Sequence, residues 1–117
     1  MANFDSPQML KAIEELEKSN YSAAAELLVP LAEAGNPRAQ CNLATLYSAG
    51  WGVKLNPKKA IDLYRAVAEQ NIAEGLLSAI AWNNLATIYI TGLPGIEPDP
   101  RKAQEYRSLA RDLGLGM

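Results

Sequence analysis

The sequence contains no histidine and only one cysteine, Cys41, among its 117 residues. Without histidine neither a Ser-His-Asp triad nor a Cys-His pair can form, and the commonest ligand of zinc and other transition metals is missing. A single cysteine cannot form an internal disulfide, which fits a reducing compartment. The sequence therefore predicts no catalytic site, no metal and no cofactor.

Long apolar runs and an excess of one charge are also missing. No apolar stretch approaches the roughly 20 residues that cross a membrane, and the opening MANFDSPQML lacks the basic and apolar regions of a signal peptide. The formal net charge is −2, whereas a nucleic-acid partner would call for a basic surface. We therefore expect one soluble, cytoplasmic domain over 1–117, with no membrane insertion and no nucleic-acid partner.

What the sequence does contain is internal repetition. NLATLY at 42–47 recurs as NLATIY at 84–89, and PKKAIDLYRAVAEQ at 57–70 recurs as PRKAQEYRSLARDL at 100–113. AAELLVPLAEAG at 24–35 is an earlier copy of the second element. Two alternating elements with a period near 40 residues indicate an array of helical hairpins.

Both elements have the periodicity of helices. Their apolar residues recur at i, i+4, i+7 and i+8, as at Ala39, Leu43, Leu46 and Tyr47. The pairs Asn56-Pro57 and Asp99-Pro100 each place an N-cap residue before a proline at the first helical position. We predict six helices, at 6–18, 21–35, 37–49, 57–71, 77–91 and 100–113.

These elements resemble the Sel1-like repeat, a member of the tetratricopeptide-type superfamily of helical-hairpin solenoids. The strongest matches are Ala39, Leu43, Tyr47, Gly50, Gly52, Val53, Lys59, Ala60 and Tyr64. The weaker second copy comprises Leu85, Tyr89, Gly92, Gly95, Ile96, Lys102 and Ala103. The family usually carries glycine where this chain has Ala44 and Ala86. The resemblance implies an all-α, short right-handed solenoid of about six antiparallel helices, with an N-terminal hairpin at 1–35 and repeats at 36–71 and 78–114.

The resemblance also implies a non-catalytic scaffold that binds another protein or peptide in a concave groove. A helical wheel with Leu43 and Tyr47 facing inward places short polar side chains, together with Cys41, on the opposite side. Asn42 and Asn84 occupy positions where peptide-binding relatives often hold the ligand backbone. The predicted groove residues are Arg38, Asn42, Thr45, Asn83, Asn84, Thr87 and Thr91.

Several alternatives remain open. The polar faces could be simply solvated, although solvated helices usually carry lysine and glutamate. The chain could instead form a homodimer through the helix at 6–18 or through the open groove. Trp51 could cover the end of a hairpin or anchor a partner. Trp82 is interpreted as a core residue.

Three further expectations concern packing. Pro30 should kink the helix at 21–35. The longer connection around Asn71–Leu77 carries Ile72, Leu76 and Leu77, and it should extend a helix or pack as an extra turn. In the third copy, Arg107 stands where the earlier copies have Leu28 and Tyr64. Arg111 stands where they have Ala32 and Ala68. We therefore expect the array to end at the sixth helix, with both arginines exposed.

Overall fold

The computed structural model describes residues 6–70 and 76–113, and the described chain forms six helices. Each predicted helix is present, with ends within two residues of the prediction. The all-α prediction is therefore confirmed. The helices are α1 (Pro7–Glu17), α2 (Tyr21–Glu33), α3 (Pro37–Ala49), α4 (Pro57–Glu69), α5 (Leu76–Thr91) and α6 (Pro100–Asp112).

Four of the helices begin with the same local device. A proline occupies the first turn, and the preceding polar side chain accepts a hydrogen bond from a backbone N–H that has no partner inside the helix. The four capping residues are Ser6, Asn36, Asn56 and Asp99. These caps explain why the sequence located the helix starts so closely.

Asn56 and Asp99 also close the two hairpins α3–α4 and α5–α6. The backbone N–H of Asn56 donates to the carbonyl of Tyr47 at 3.0 Å, and that of Asp99 donates to the carbonyl of Tyr89 at 2.7 Å. A lysine ammonium lies over each of these tyrosine rings, at centroid distances of 5.2 Å for Lys59 and 4.9 Å for Lys102. The two repeats therefore share the same closing contacts.

The helices stack in chain order, each packing on the next, and α3 also touches α5. One buried cluster joins α1, α2 and α3, and a second joins α3 to α6. Helix α3 belongs to both, because Leu43 and Leu46 face the first cluster while Cys41 and Ala44 face the second. This arrangement of stacked hairpins is an α-solenoid.

Buried polar side chains connect the ends of successive helices. The Gln40 Nε2 donates to the Ala32 carbonyl at 3.1 Å, and the Gln40 Oε1 accepts from Gln70 Nε2 at 2.8 Å. The Ser78 hydroxyl donates to the Val67 carbonyl at 3.1 Å. Within the described residues every buried side-chain nitrogen and oxygen has a partner. These bonds link α2 to α3, α3 to α4 and α4 to α5.

The expected insertion around Asn71–Leu77 falls partly outside the described residues, and Ile72 is among those outside. Leu77 packs against the second cluster, as predicted. Leu76 extends α5 at its start, which is one of the two expected outcomes, and it has 57% of its surface exposed. Helix α2 continues through Pro30 to Glu33.

The loop after α3 packs closely on the start of α2. The Trp51 ring stacks on Tyr21 with centroids 5.1 Å apart, and the Ser22 hydroxyl donates to the Gly52 carbonyl at 3.5 Å. Gly52 has φ +73°, and a Cβ there would lie only 2.3 Å from the Tyr21 carbonyl carbon. A glycine is therefore required at this position both by its dihedral angle and by the neighbouring backbone.

We expect Gly52→Ala to destabilise the fold by about 3 kcal/mol, since the positive φ costs about 1–2 kcal/mol and the clash adds a similar amount. Gly95→Ala is a matched control, because Gly95 has φ +81° and a Cβ there would have nothing within 4 Å. Urea unfolding followed by far-UV circular dichroism measures both losses. Equal losses in the two variants would contradict the close approach.

Candidate partner-binding face

Helices α3 and α5 present equivalent solvent-facing positions. At these positions Asn42 and Asn84 are half-buried, and the other residues, which are named below, are exposed. Because α3 and α5 touch, the positions lie on neighbouring helices. The equivalent pairs are Arg38 with Ile80, Asn42 with Asn84, Thr45 with Thr87, and Ala49 with Thr91. The polar face is defined here as Arg38, Asn42, Thr45, Asn84, Thr87 and Thr91.

The threonines of the polar face bond to their own helices. The hydroxyls of Thr45, Thr87 and Thr91 donate to the carbonyls four residues earlier, at 3.2, 3.1 and 3.3 Å. Thr45 also shares a 2.6 Å hydrogen bond with the Tyr64 hydroxyl. These side chains therefore stay close to the helix surface and leave the face shallow.

The two asparagines differ from the threonines. Among the described residues, neither the Asn42 nor the Asn84 side chain forms a hydrogen bond. Each carboxamide offers two donors and one acceptor group. A half-buried amide with unused donors and acceptors can hold the backbone of another chain.

Cys41 does not lie on this face, which corrects the wheel-based placement. Its side chain is buried in the cluster that joins α3, α4 and α5, because α5 covers this side of α3. Burial raises the pKa of the Cys41 thiol to about 12. A small, chemically inert residue fits this environment.

Asn83 occupies the position in α5 that corresponds to Cys41 in α3. It is exposed, but it lies on the side of α5 that would face a following helix and not beside Asn84 in the polar face. The sequence wheel grouped Asn83 with the groove because it could not show which side of α3 the next hairpin covers. Asn83 is therefore assigned to a different surface.

The two tryptophans have intramolecular partners. Trp51 stacks on Tyr21 but remains about half exposed, so it covers the hairpin end and still presents an aromatic surface. Trp82 packs against the second cluster, with its ring 5.2 Å from that of Tyr106. The core interpretation of Trp82 is consistent with this contact.

Tyr64 supports the polar face through Thr45, a role that the sequence interpretation did not include. Burial raises the pKa of Tyr64, and its hydroxyl reaches Thr45 from α4. Its counterpart in the next repeat is Arg107, so the side chain that supports Thr45 has no equivalent beneath Thr87. The replacement of this tyrosine by Arg107 in the next repeat is the sequence signal that could have pointed to its role.

The fold is thus a solenoid of helical hairpins, and comparison with known proteins identifies its family. The Sel1 repeat model matches residues 37–72 and 79–115. The chain belongs to the Sel1 repeat family. Sel1 repeats generally form non-catalytic scaffolds that mediate protein–protein interactions.

Solved structures agree with this assignment. A Sel1 repeat protein from Oxalobacter formigenes superposes with a TM-score of 0.74 at 29% identity, covering 92% of this chain and 40% of that one. The protein c5321, a protective antigen present in uropathogenic Escherichia coli strains and displaying an SLR fold, gives a TM-score of 0.72 at 25% identity. That match covers 92% of this chain and 23% of c5321. The chain thus spans less than half the length of either protein.

No match was found among curated protein sequences.

In the described part of the chain, no three His, Cys, Asp or Glu side chains group to form a metal site. None of the described helices has both the length and the apolar character needed to cross a bilayer.

The raised pKa and burial of Cys41 predict that its thiol is unreactive in the folded protein. At pH 8 the thiol stays protonated, and the thiolate is the reactive form. Ellman's reagent should therefore label native protein at least about a hundredfold more slowly than protein unfolded in urea, since labelling must await opening of the core. Ala49→Cys in a Cys41→Ser background provides an exposed control on the same helix. Fast labelling of native Cys41 would show that α5 does not cover it.

Proposed function

We propose that this chain is a non-catalytic scaffold that binds a protein partner, with an extended peptide segment lying along the polar face. The polar face would form the floor of the concave groove of the solenoid. The observation that carries the proposal is the pair of half-buried, unbonded amides at equivalent positions, Asn42 and Asn84. No catalytic step is assigned to the chain.

Repetition supports a ligand that runs across the helices. A peptide backbone presents its N–H and C=O groups at regular intervals, and two equivalent asparagines on neighbouring helices can each hold one peptide group. Amide-to-backbone bonds impose little dependence on the ligand's side chains. The expected ligand is therefore an extended segment.

The low charge of the face supports the same proposal. Arg38 is the one charged side chain of the polar face, whereas a merely solvated helix would favour lysine and glutamate. Short polar residues also lose little side-chain entropy when a ligand covers them. This composition favours a contact surface over a solvated one.

We further propose that 1–117 folds as one domain, with the hairpin at 1–35 and repeats at 36–71 and 78–114. The two clusters share α3, which supports a single cooperative unit. The proposed compartment is the cytoplasm, because the only cysteine is a buried free thiol.

The Asn42→Ala/Asn84→Ala variant should lose partner binding while keeping its fold. Removing two amide-to-backbone hydrogen bonds should weaken binding by roughly tenfold or more. Affinity capture from the source cell with quantitative mass spectrometry identifies proteins held by the wild type, and titration of the recovered partner measures the loss.

Gln8→Ala is the matched control, because it removes an exposed amide from α1 instead. Circular dichroism checks that both variants remain helical. If the recovered partner binds the double variant as tightly as the wild type, the polar face is not its binding site.

A further inference from the structure

The side of the α5–α6 hairpin that faces away from α4 carries an open depression. Its volume is about 400 Å³, and Ile90, whose surface is 46% exposed, lies at its α5 edge. Arg107 and Arg111 line its α6 side and are both exposed, as the sequence led us to expect. The α6-end face is defined here as Asn83, Ile90, Pro100, Ala103, Gln104, Arg107 and Arg111.

The same surface exists one repeat earlier, and there a helix covers it. The residues equivalent to Asn83, Arg107 and Arg111 are Cys41, Tyr64 and Ala68, and all three are buried in the cluster that includes α5. In that repeat Ala81, Leu85 and Ile88 of α5 complete the contact. The shape of this surface is therefore suited to a helix.

The charge of the α6-end face indicates what kind of helix it accepts. Arg107 and Arg111 lie one turn apart on one side of α6, and neither forms an ion pair with any described residue. Two unneutralised guanidinium groups beside an apolar side chain favour an occupant that carries both carboxylates and an apolar anchor.

Helix α1 has such a face. Leu10 is 54% exposed, and Glu14 and Glu17 follow it four and seven positions later, on one stripe of the helix. Lys11 and Lys18 pair with Glu14, whereas Glu17 has no ion pair within the described residues. The opposite stripe of α1, including Met9 and Ala12, packs on α2.

We propose that the α6-end face binds α1 of a second copy of this chain, head to tail. Leu10 would enter the depression beside Ile90, and Glu14 and Glu17 would face Arg107 and Arg111. Helix α1 of the second copy would then take the place that α5 takes in the preceding repeat, so the solenoid would continue across the contact. This association is separate from peptide binding on the polar face.

The two surfaces differ, so the contact is heterologous and can repeat from copy to copy. The average mass should rise with concentration without stopping at a dimer, and added salt should lower it. Sedimentation velocity from about 10 µM to about 1 mM covers the range in which so small a contact would associate.

Charge reversal gives the main test. Arg107→Glu/Arg111→Glu and Glu14→Arg/Glu17→Arg should each weaken self-association by about tenfold or more, because like charges then meet at the contact. An equimolar mixture of the two variants should associate again. The glutamates introduced on the α6-end face of one variant then meet the arginines introduced on α1 of the other. Lys54→Glu/Lys58→Glu is the control with the same change in net charge as the double arginine variant, and it should associate like the wild type.

Cross-linking gives a test that does not depend on charged variants keeping their fold. Leu10→Cys and Ile90→Cys each replace an exposed side chain, and both are made in the same Cys41→Ser background. Under mild oxidation a mixture should form the mixed disulfide faster than either protein dimerises alone. A wild type that is monomeric throughout the concentration range would overturn the proposal. So would a mixture of charge variants that does not recover, or the absence of preferential Leu10–Ile90 cross-linking.

Discussion

The whole structure depends on how each repeat closes its hairpin. One residue, Asn56 or Asp99, uses its backbone N–H to hold the last turn of the preceding helix and its side chain to cap the next. The same residue thus fixes where the loop ends and where the second helix starts. With each hairpin set in this way, its two sides are presented to its neighbours at a fixed angle, and stacking can repeat. The polar face and the α6-end face are both products of that repetition.

Local signals in the sequence located the helices but could not assign all of their sides. Capping residues followed by proline defined the starts of α4 and α6, because they act within a few residues of the chain. A helical wheel placed Thr45 and Asn42 correctly toward solvent, yet it also placed Cys41 there. Which neighbour covers a given side depends on how hairpins stack, and a wheel drawn for one helix contains no such information. The Gln40–Gln70 bond escaped prediction for the same reason, since its partners are far apart in sequence.

The two proposed surfaces lie on different sides of α5. Asn84, Thr87 and Thr91 face the same way as their counterparts in α3, whereas Asn83 and Ile90 face the direction in which the repeats stack. A peptide on the first surface and a helix on the second would not compete for the same side chains. Extending the stack would also lengthen the polar face, because each added copy brings its own Asn42 and Asn84. Binding to a long partner would then gain from multivalency.

The Trp51–Tyr21 stack has a consequence for how unfolding can be observed. Trp51 contacts the start of α2, while Trp82 lies in α5 against Tyr106, so each tryptophan belongs to a different part of the solenoid. Repeat arrays can lose structure one unit at a time when the coupling between neighbours is weak. With Trp82→Phe the fluorescence reports the N-terminal units, and with Trp51→Phe it reports the C-terminal hairpin. The melting curves of these two variants therefore measure how strongly α3, the helix shared by both clusters, couples the ends of the chain.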